Sequence, residues 1–265
     1  TKANYYAKYG LDKPLVEQYL IYIKNMLQGD LGESLLYPGR SVSATISATS
    51  PVSGLVGGIA LVIGLLIGVC LGIIAALKKN QWPDYVVMVI AIMGITIPVF
   101  VLVSLMQYFF SIKLGWLPSS GWGEPKHLIM PVIVLSFSTI ATYARYIKSS
   151  MLDVLDQDYI LTARSKGLSE PKIVWSHIMR NSFIPIVTRL PVSMATCITG
   201  SFIIEKIFSI PGIAAYYIEA VSANDLSIVL GETVFIAALF IVVVFLTDIL
   251  YTVVDPRIRI QGGKR

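Results

Sequence analysis

Apolar residues run through this chain in five blocks, 52–77, 85–112, 128–148, 184–204 and 231–254, separated by shorter polar connections. A helix needs about 20 mostly apolar residues to cross the hydrocarbon of a bilayer, and it suits that medium because its backbone hydrogen bonds are satisfied within the segment. The blocks therefore predict an all-α polytopic membrane helix bundle with five spans. Ahead of them, residues 1–50 mix polar and apolar positions. Within 14–27, Leu15, Tyr19, Tyr22, Ile23 and Met26 recur at helical spacing, which predicts a short helix whose apolar stripe packs on the bundle or meets a soluble partner.

The distribution of basic residues orients the spans. One set of connections carries Lys78 and Lys79, then Lys148, Arg164, Lys166, Lys172 and Arg180, then Arg257, Arg259, Lys264 and Arg265, whereas the alternate loops hold Lys113, Lys126 and Lys206. Lysine and arginine accumulate on the cytoplasmic side of short loops, so the first set is expected to face the cytoplasm. Five spans then place residues 1–50 outside, although they show no signal-peptide pattern. The expectation is a further transmembrane helix ahead of Thr1 in the native subunit, giving six spans with both ends cytoplasmic. Residues 1–50 become an extracytoplasmic segment, and 51–265 the transmembrane domain.

Composition narrows the class. With 55% hydrophobic and 14% charged residues, the chain is too apolar for an ordinary soluble domain. Its formal net charge of +5 fits cytoplasmic loops near anionic lipid headgroups, with no nucleic acid required. Cys70 and Cys197 sit in separate apolar blocks, where a thiol behaves as a small hydrophobe.

Within the first block, Gly54 and Gly58, then Gly64, Gly68 and Gly72, place a small residue at every fourth position, a strip along which another helix can approach closely. Pro98 and Pro131 remove helix hydrogen bonds and predict kinks. Glu205, Glu232, Asp248, Arg145 and Arg189 are read as lying toward span ends, where they reach the interface, which argues against a proton relay. His127 and His177 fall in loops on opposite sides, so they share no metal. The chain also lacks a phosphate-cradling Gly-rich loop ending in Lys and Ser or Thr, so ATP is not expected to bind it.

The connection 149–183 is too patterned for a flexible linker. It reads as a helix over 151–166, stopped by Gly167, followed by a second helix capped by Ser169 with Pro171 in its first turn. A short amphipathic helix projecting from a membrane bundle fits a groove on a soluble partner, and equally a position flat on the membrane surface.

The run Asp158-Tyr159-Ile160-Leu161-Thr162-Ala163-Arg164-Ser165-Lys166-Gly167-Leu168, followed by His177-Ile178-Met179-Arg180-Asn181 and Pro185, resembles the cytoplasmic loop of dipeptide and oligopeptide importer permeases. It is similar to the Glu-Ala-Ala loop of binding-protein-dependent ABC importers, with Leu161-Thr162 and Met179-Arg180 departing from the general motif as the peptide branch commonly does. Leu11-Asp12-Lys13-Pro14, Gly29-Asp30-Leu31-Gly32-Glu33-Ser34, Glu205-Lys206-Ile207-Phe208 leading to Pro211-Gly212, and Asp255-Pro256-Arg257-Ile258-Arg259 look like the same branch, with Ala214 in place of its usual glycine.

The resemblance implies the type I ABC importer transmembrane fold, and a permease subunit that forms half of a translocation pathway for oligopeptides. It also implies a second homologous permease subunit, two ATP-binding subunits that carry ATP and magnesium, and an extracytoplasmic substrate-binding protein. No cofactor in this chain and no enzymatic activity of its own are expected. Dipeptides, nickel or a metal–chelator complex are the alternative cargoes, and a prokaryotic cytoplasmic membrane the implied location. Asp158, Tyr159, Thr162, Ala163, Arg164 and Gly167 are the expected docking surface and its bend, braced by His177, Arg180 and Asn181. Glu205, Phe208, Pro211 and Gly212 mark an outer segment. A passive channel or purely structural subunit is the competing class, and it would have no use for the 149–183 loop.

Overall fold

A helix of 36 residues, Val42–Leu77, forms the spine of the bundle. The computed structural model describes residues 12–254, without the side chains at 198, 247, 248 and 250–254. Leu11, Asp248 and the 255–259 motif therefore lie outside what is described here. In chain order the elements are α1 (Leu15–Leu27), α2 (Val42–Leu77), α3 (Trp82–Thr96), and α4 (Val99–Met106), which continues as a π-helical stretch Gln107–Lys113. Then come α5 (Lys126–Leu155), α6 (Asp158–Ser165), α7 (Glu170–Ile173), a π-helical turn Val174–Ile178, and α8 (Met179–Ser182). The remainder are α9 (Ile184–Thr199), α10 (Phe202–Phe208), α11 (Ile213–Ala223) and α12 (Leu226–Val254).

Three helices are long and apolar enough to span a bilayer alone, namely α2, α5 and Leu226–Leu246 within α12; counting each bent pair, α3 with α4 and α9 with α10, as one broken span brings the number to five. The five predicted blocks are thus present, with different ends and two breaks. At the first break Ile97 is extended because a following proline crowds the helical conformation, and at Pro98 the direction turns by 104°. Block 85–112 is therefore broken into two helices where a kink was expected, while Pro131 stays inside the unbroken α5. At the second break Gly200 adopts φ +76° and the axis turns by 42°.

The most extensive packing in the fold is α2 against α5. A Cβ added at Gly64 would lie 2.5 Å from Thr139 Cβ, at Gly68 2.8 Å from the Ile140 carbonyl oxygen, and at Gly72 2.6 Å from that of Ala144. Three of the five glycines picked out by spacing make this seam. Gly54 and Gly58 face open space, and Gly57, off the every-fourth-residue strip, abuts Cys197 of α9. Near the Lys148 end, the seam is joined by α3 through an ion pair, Lys148 Nζ to Asp84 at 2.5 Å.

The other end of the bundle is closed by residues 29–41. Ser34 Oγ donates to Asp225, Leu35 N donates to Asp225 Oδ1 at 3.1 Å, and the Arg40 guanidinium lies 4.9 Å from the Tyr216 ring centre. Helix α2 begins at Val42, ten residues before the expected first span, and Val42 and Ile46 pack with Ile213 and Ile228. The stripe on α1 packs only in part: Tyr22, Ile23 and Met26 are half-buried, whereas Leu15 and Tyr19 are exposed.

Burial pushes the Asp225 carboxyl up, but the hydrogen bonds from Ser34 and the backbone amides outweigh it and leave the group below its ordinary value. A depressed folded value means that this tether contributes fully above the unfolded carboxyl range, about pH 3.9, and is lost as pH falls through the folded value. Amide-exchange protection at 35–37 should hold at pH 5 to 7, and Asp225→Ala should lower it by about 1–3 kcal/mol through the unpaired donors left behind. Unchanged protection in that variant would refute the tether.

Candidate functional site

The 149–183 connection stands at the Lys148 end. Its expected single helix over 151–166 is two: α5 runs on to Leu155, Asp156 ends it, Gln157 is extended, and Asp158 sits in the first turn of α6, where a carboxylate suits the helix dipole. Gly167 follows with φ +74°, the left-handed conformation that glycine tolerates and that turns the chain back. Ser169 holds the N-cap position of α7 without a side-chain hydrogen bond, and Pro171 lies in the first turn as expected.

The two faces of α6 differ. Ile160 and Ala163 are buried, packed in one apolar cluster with Ile147, Met151, Ile173, Ile178 and Met179. Ala163 therefore faces the bundle, and the sequence expectation that put it on the docking surface gives way to a seating role. The outward side carries Tyr159, Thr162, Arg164 and the apolar Leu161, which is 55% exposed; farther along the connection Trp175 is 71% exposed.

Polar contacts fix the loop's geometry. Arg164 Nε donates to Glu170 Oε1 at 2.8 Å, an exposed pair that bridges the Gly167 turn. Asn181 Nδ2 donates to Tyr159 Oη at 2.8 Å and to the His177 carbonyl at 3.2 Å, tying the second helical run to α6. His177 is half-buried and Arg180 exposed. Asp158, Tyr159, Thr162, Ala163, Arg164, Gly167, His177 and Asn181 thus share one substructure; Arg180 lies on it at the surface.

The second predicted group sits at the opposite end. Glu205 is 3% exposed. Its Oε1 accepts from Ser53 Oγ at 2.7 Å and its Oε2 from Ala215 N at 3.0 Å, while Ser53 Oγ accepts from Ile213 N at 2.9 Å. Gly212 packs directly on this carboxylate, Pro211 leads into it, and Phe208 is buried with its carbonyl accepting from Gly121 N at 2.8 Å. The four residues expected in the outer segment form one clasp joining α2, α10 and α11.

Glu205 is buried in the protein instead of extending to the surface, and so is Glu232 on α12, which is fully buried with both carboxyl oxygens unpartnered among the described residues. The expected snorkelling is replaced by burial against neighbouring helices, which sequence position alone does not reveal. Ser53 carried no sequence signal, because a serine in an apolar block has nothing to mark its partner 152 residues away.

Helices α5 and α9 also differ from the others in what they expose. The open faces of α2, α3 and α12 are chiefly apolar, with Leu66, Ile92 and Phe245 among them, whereas α5 and α9 expose a mixture: Ser138, Arg145, Tyr146 and Ser149 besides Ile129 and Ile133 on α5, and Thr188, Arg189 and Thr196 besides Ile184, Val192 and Met194 on α9. A polar face at membrane depth faces water or protein, not lipid chains. A cavity of about 370 Å³ opens between α2, α5, α9 and α10, with Ser53, Thr139, Ser193, Thr196 and Glu205 set among apolar side chains on its wall.

Residues 68–260 match the family described as binding-protein-dependent transport system inner membrane component. The chain is 41% identical over 258 residues to a dipeptide transport system permease protein, DppB, of Bacillus subtilis (strain 168), covering 97% of this chain and 84% of that protein. It is 38% identical over 259 residues to an oligopeptide transport system permease protein, OppB, of Haemophilus influenzae, covering 97% and 85%. Among solved structures, an inward-facing MetNI methionine ABC transporter superimposes with a TM-score of 0.64 at 15% identity, over 79% of this chain and 96% of that one, a likeness of fold.

Proposed function

The chain belongs to the binding-protein-dependent transport system inner membrane components, as a membrane-embedded permease subunit of an ABC importer, and from that premise we propose that it forms half of the translocation pathway for oligopeptides. The names of the relatives support a peptide cargo, dipeptides being the near alternative and nickel or a metal–chelator complex the further one.

The reading extends to how the chain is driven. Helix α6 is the element that meets an ATP-binding subunit, which would hold ATP and magnesium, while the Lys148 end faces the cytoplasm. A second homologous permease subunit completes the pathway, and an extracytoplasmic substrate-binding protein meets the end closed by residues 29–41. The observation that carries the coupling role is the two-sided build of α6. Its inner face is locked into the bundle by Ile160 and Ala163, and the side turned away from the bundle exposes Tyr159 and Leu161. Exposed apolar side chains on a projecting element are suited to burial under another protein.

The test is peptide-stimulated ATP hydrolysis by the reconstituted complex with its binding protein. Leu161→Asp puts a charge on the outer face without touching the inner one. Hydrolysis should fall at least tenfold, with loss of ATPase co-purification, because a desolvated unpaired charge costs several kcal/mol. Full stimulation in that variant would refute docking through this face.

A further inference from the structure

A second cavity, about 550 Å³, lies on the polar side of the bundle between the end of α3, the outer face of α5 and the start of α9. Ser138, Thr142, Arg145, Tyr146, Ser149 and Arg189 line it. Two guanidiniums therefore face one cavity with hydroxyls around them and no carboxylate on its wall. Among the described residues neither guanidinium has an ion pair; Arg189 only stacks over the Tyr146 ring at 5.3 Å. Lys148, a turn farther along α5, differs, since Asp84 neutralises it. Arg145 stands 19 residues into α5, roughly 28 Å along its axis at 1.5 Å per residue, and so near one edge of the hydrocarbon.

Two unpaired cations held around a roomy, hydroxyl-lined space are complementary to an oxyanion. We propose that Arg145 and Arg189 form an oxyanion station on the translocation pathway, which takes the terminal carboxylate of the transported peptide. The assignment rests on the peptide reading above. A lipid headgroup phosphate offers the same chemistry, but the wall around the arginines argues for the pathway. Ser138 and Thr142 continue the polar stripe of α5 from Arg145 toward mid-membrane, where the open faces of α2 and α3 carry chiefly apolar side chains.

The experiment measures retention of a radiolabelled tetrapeptide and of its C-terminal amide by the assembled permease–ATPase complex, without binding protein, in nanodiscs of phosphatidylcholine. The free acid should be retained on the order of tenfold or more better than the amide, the worth of a charged hydrogen-bonded contact. Arg145→Gln and Arg189→Gln should each erase that ratio, and the double lysine variant should keep most of it. Equal retention of acid and amide, or no retention, would overturn the station. So would a preference that vanishes when phosphatidylglycerol replaces phosphatidylcholine, since the site would then belong to the lipid phosphate. Uptake of the same peptide by the complete system in proteoliposomes is measured in parallel. Uptake without acid preference sinks the station alone, while absence of uptake sinks the peptide reading beneath it.

Discussion

Gly72→Leu is expected to leave the permease unable to hold its bundle together, with loss of the folded complex from detergent extracts. The Cβ alone would stand 2.6 Å from the Ala144 carbonyl oxygen and 2.8 Å from Ile147 Cβ, and a backbone oxygen within a helix cannot swing aside as a side chain can. Relief requires α2 and α5 to separate along their whole seam. Overpacking by a methylene or two costs about 1–3 kcal/mol where side chains can yield. Here the obstacle is backbone and the added group is a full leucine, so a loss above about 3 kcal/mol is expected against a typical total of about 5–15. Gly58→Leu is the matched control, because a Cβ there meets nothing within 4 Å. Thermal unfolding followed by size-exclusion chromatography decides the matter: equal midpoints for the two variants would show that the seam does not depend on close approach.

Ala163→Asp is expected to uncouple the complex by a different route from Leu161→Asp. Ala163 lies in the cluster of Ile160, Ile178 and Met179, whose apolar side chains offer a carboxylate no hydrogen-bond donor. An unpaired charge in such a place costs several kcal/mol, and the cheapest escape is for α6 to lift from its seat. Hydrogen exchange should then rise across 158–168 while α2 and α5 stay protected, and peptide-stimulated hydrolysis should fall at least tenfold. Ala163→Ser, which adds one hydroxyl that can bond within the helix, should retain most activity. An Ala163→Asp protein with native exchange in α6 would mean that the helix is not held by this face.

Much of this architecture was legible because hydrophobic length and glycine spacing are local properties. Five apolar blocks gave the spans, Gly64, Gly68 and Gly72 gave the principal seam, and Gly167 gave the turn after α6. What escaped was set by geometry across the fold. The 104° turn at Pro98 arises from a proline that the sequence presents in the same terms as Pro131, yet one breaks a span and the other sits inside a helix; the neighbours decide. The orientation of α6 was half read. Its periodicity marked an apolar face, but whether Ala163 or Leu161 turned inward depended on the break at Asp156 and Gln157, which shifts the phase of the following turn. Glu205 was placed in the right segment through its motif, but its burial was not legible, because its hydrogen-bond partners come from Ser53 and Ala215, one far away in sequence. The arginine pair escaped altogether as a site, since Arg145 and Arg189 meet only when α5 and α9 are laid side by side.

The seam between α2 and α5 has a mechanical consequence. Two helices of 36 and 30 residues, about 54 and 45 Å long, whose backbones touch at three successive glycines bend together or not at all, as laminated beams do. Helix α6 is fastened to one tip of this beam, while the clasp through Ser53 and the tether through Asp225 are fastened near the other. A push of an ångström at α6 would therefore arrive at the far side of the membrane as tilt about whatever point the bundle pivots on, instead of being absorbed by flexing on the way.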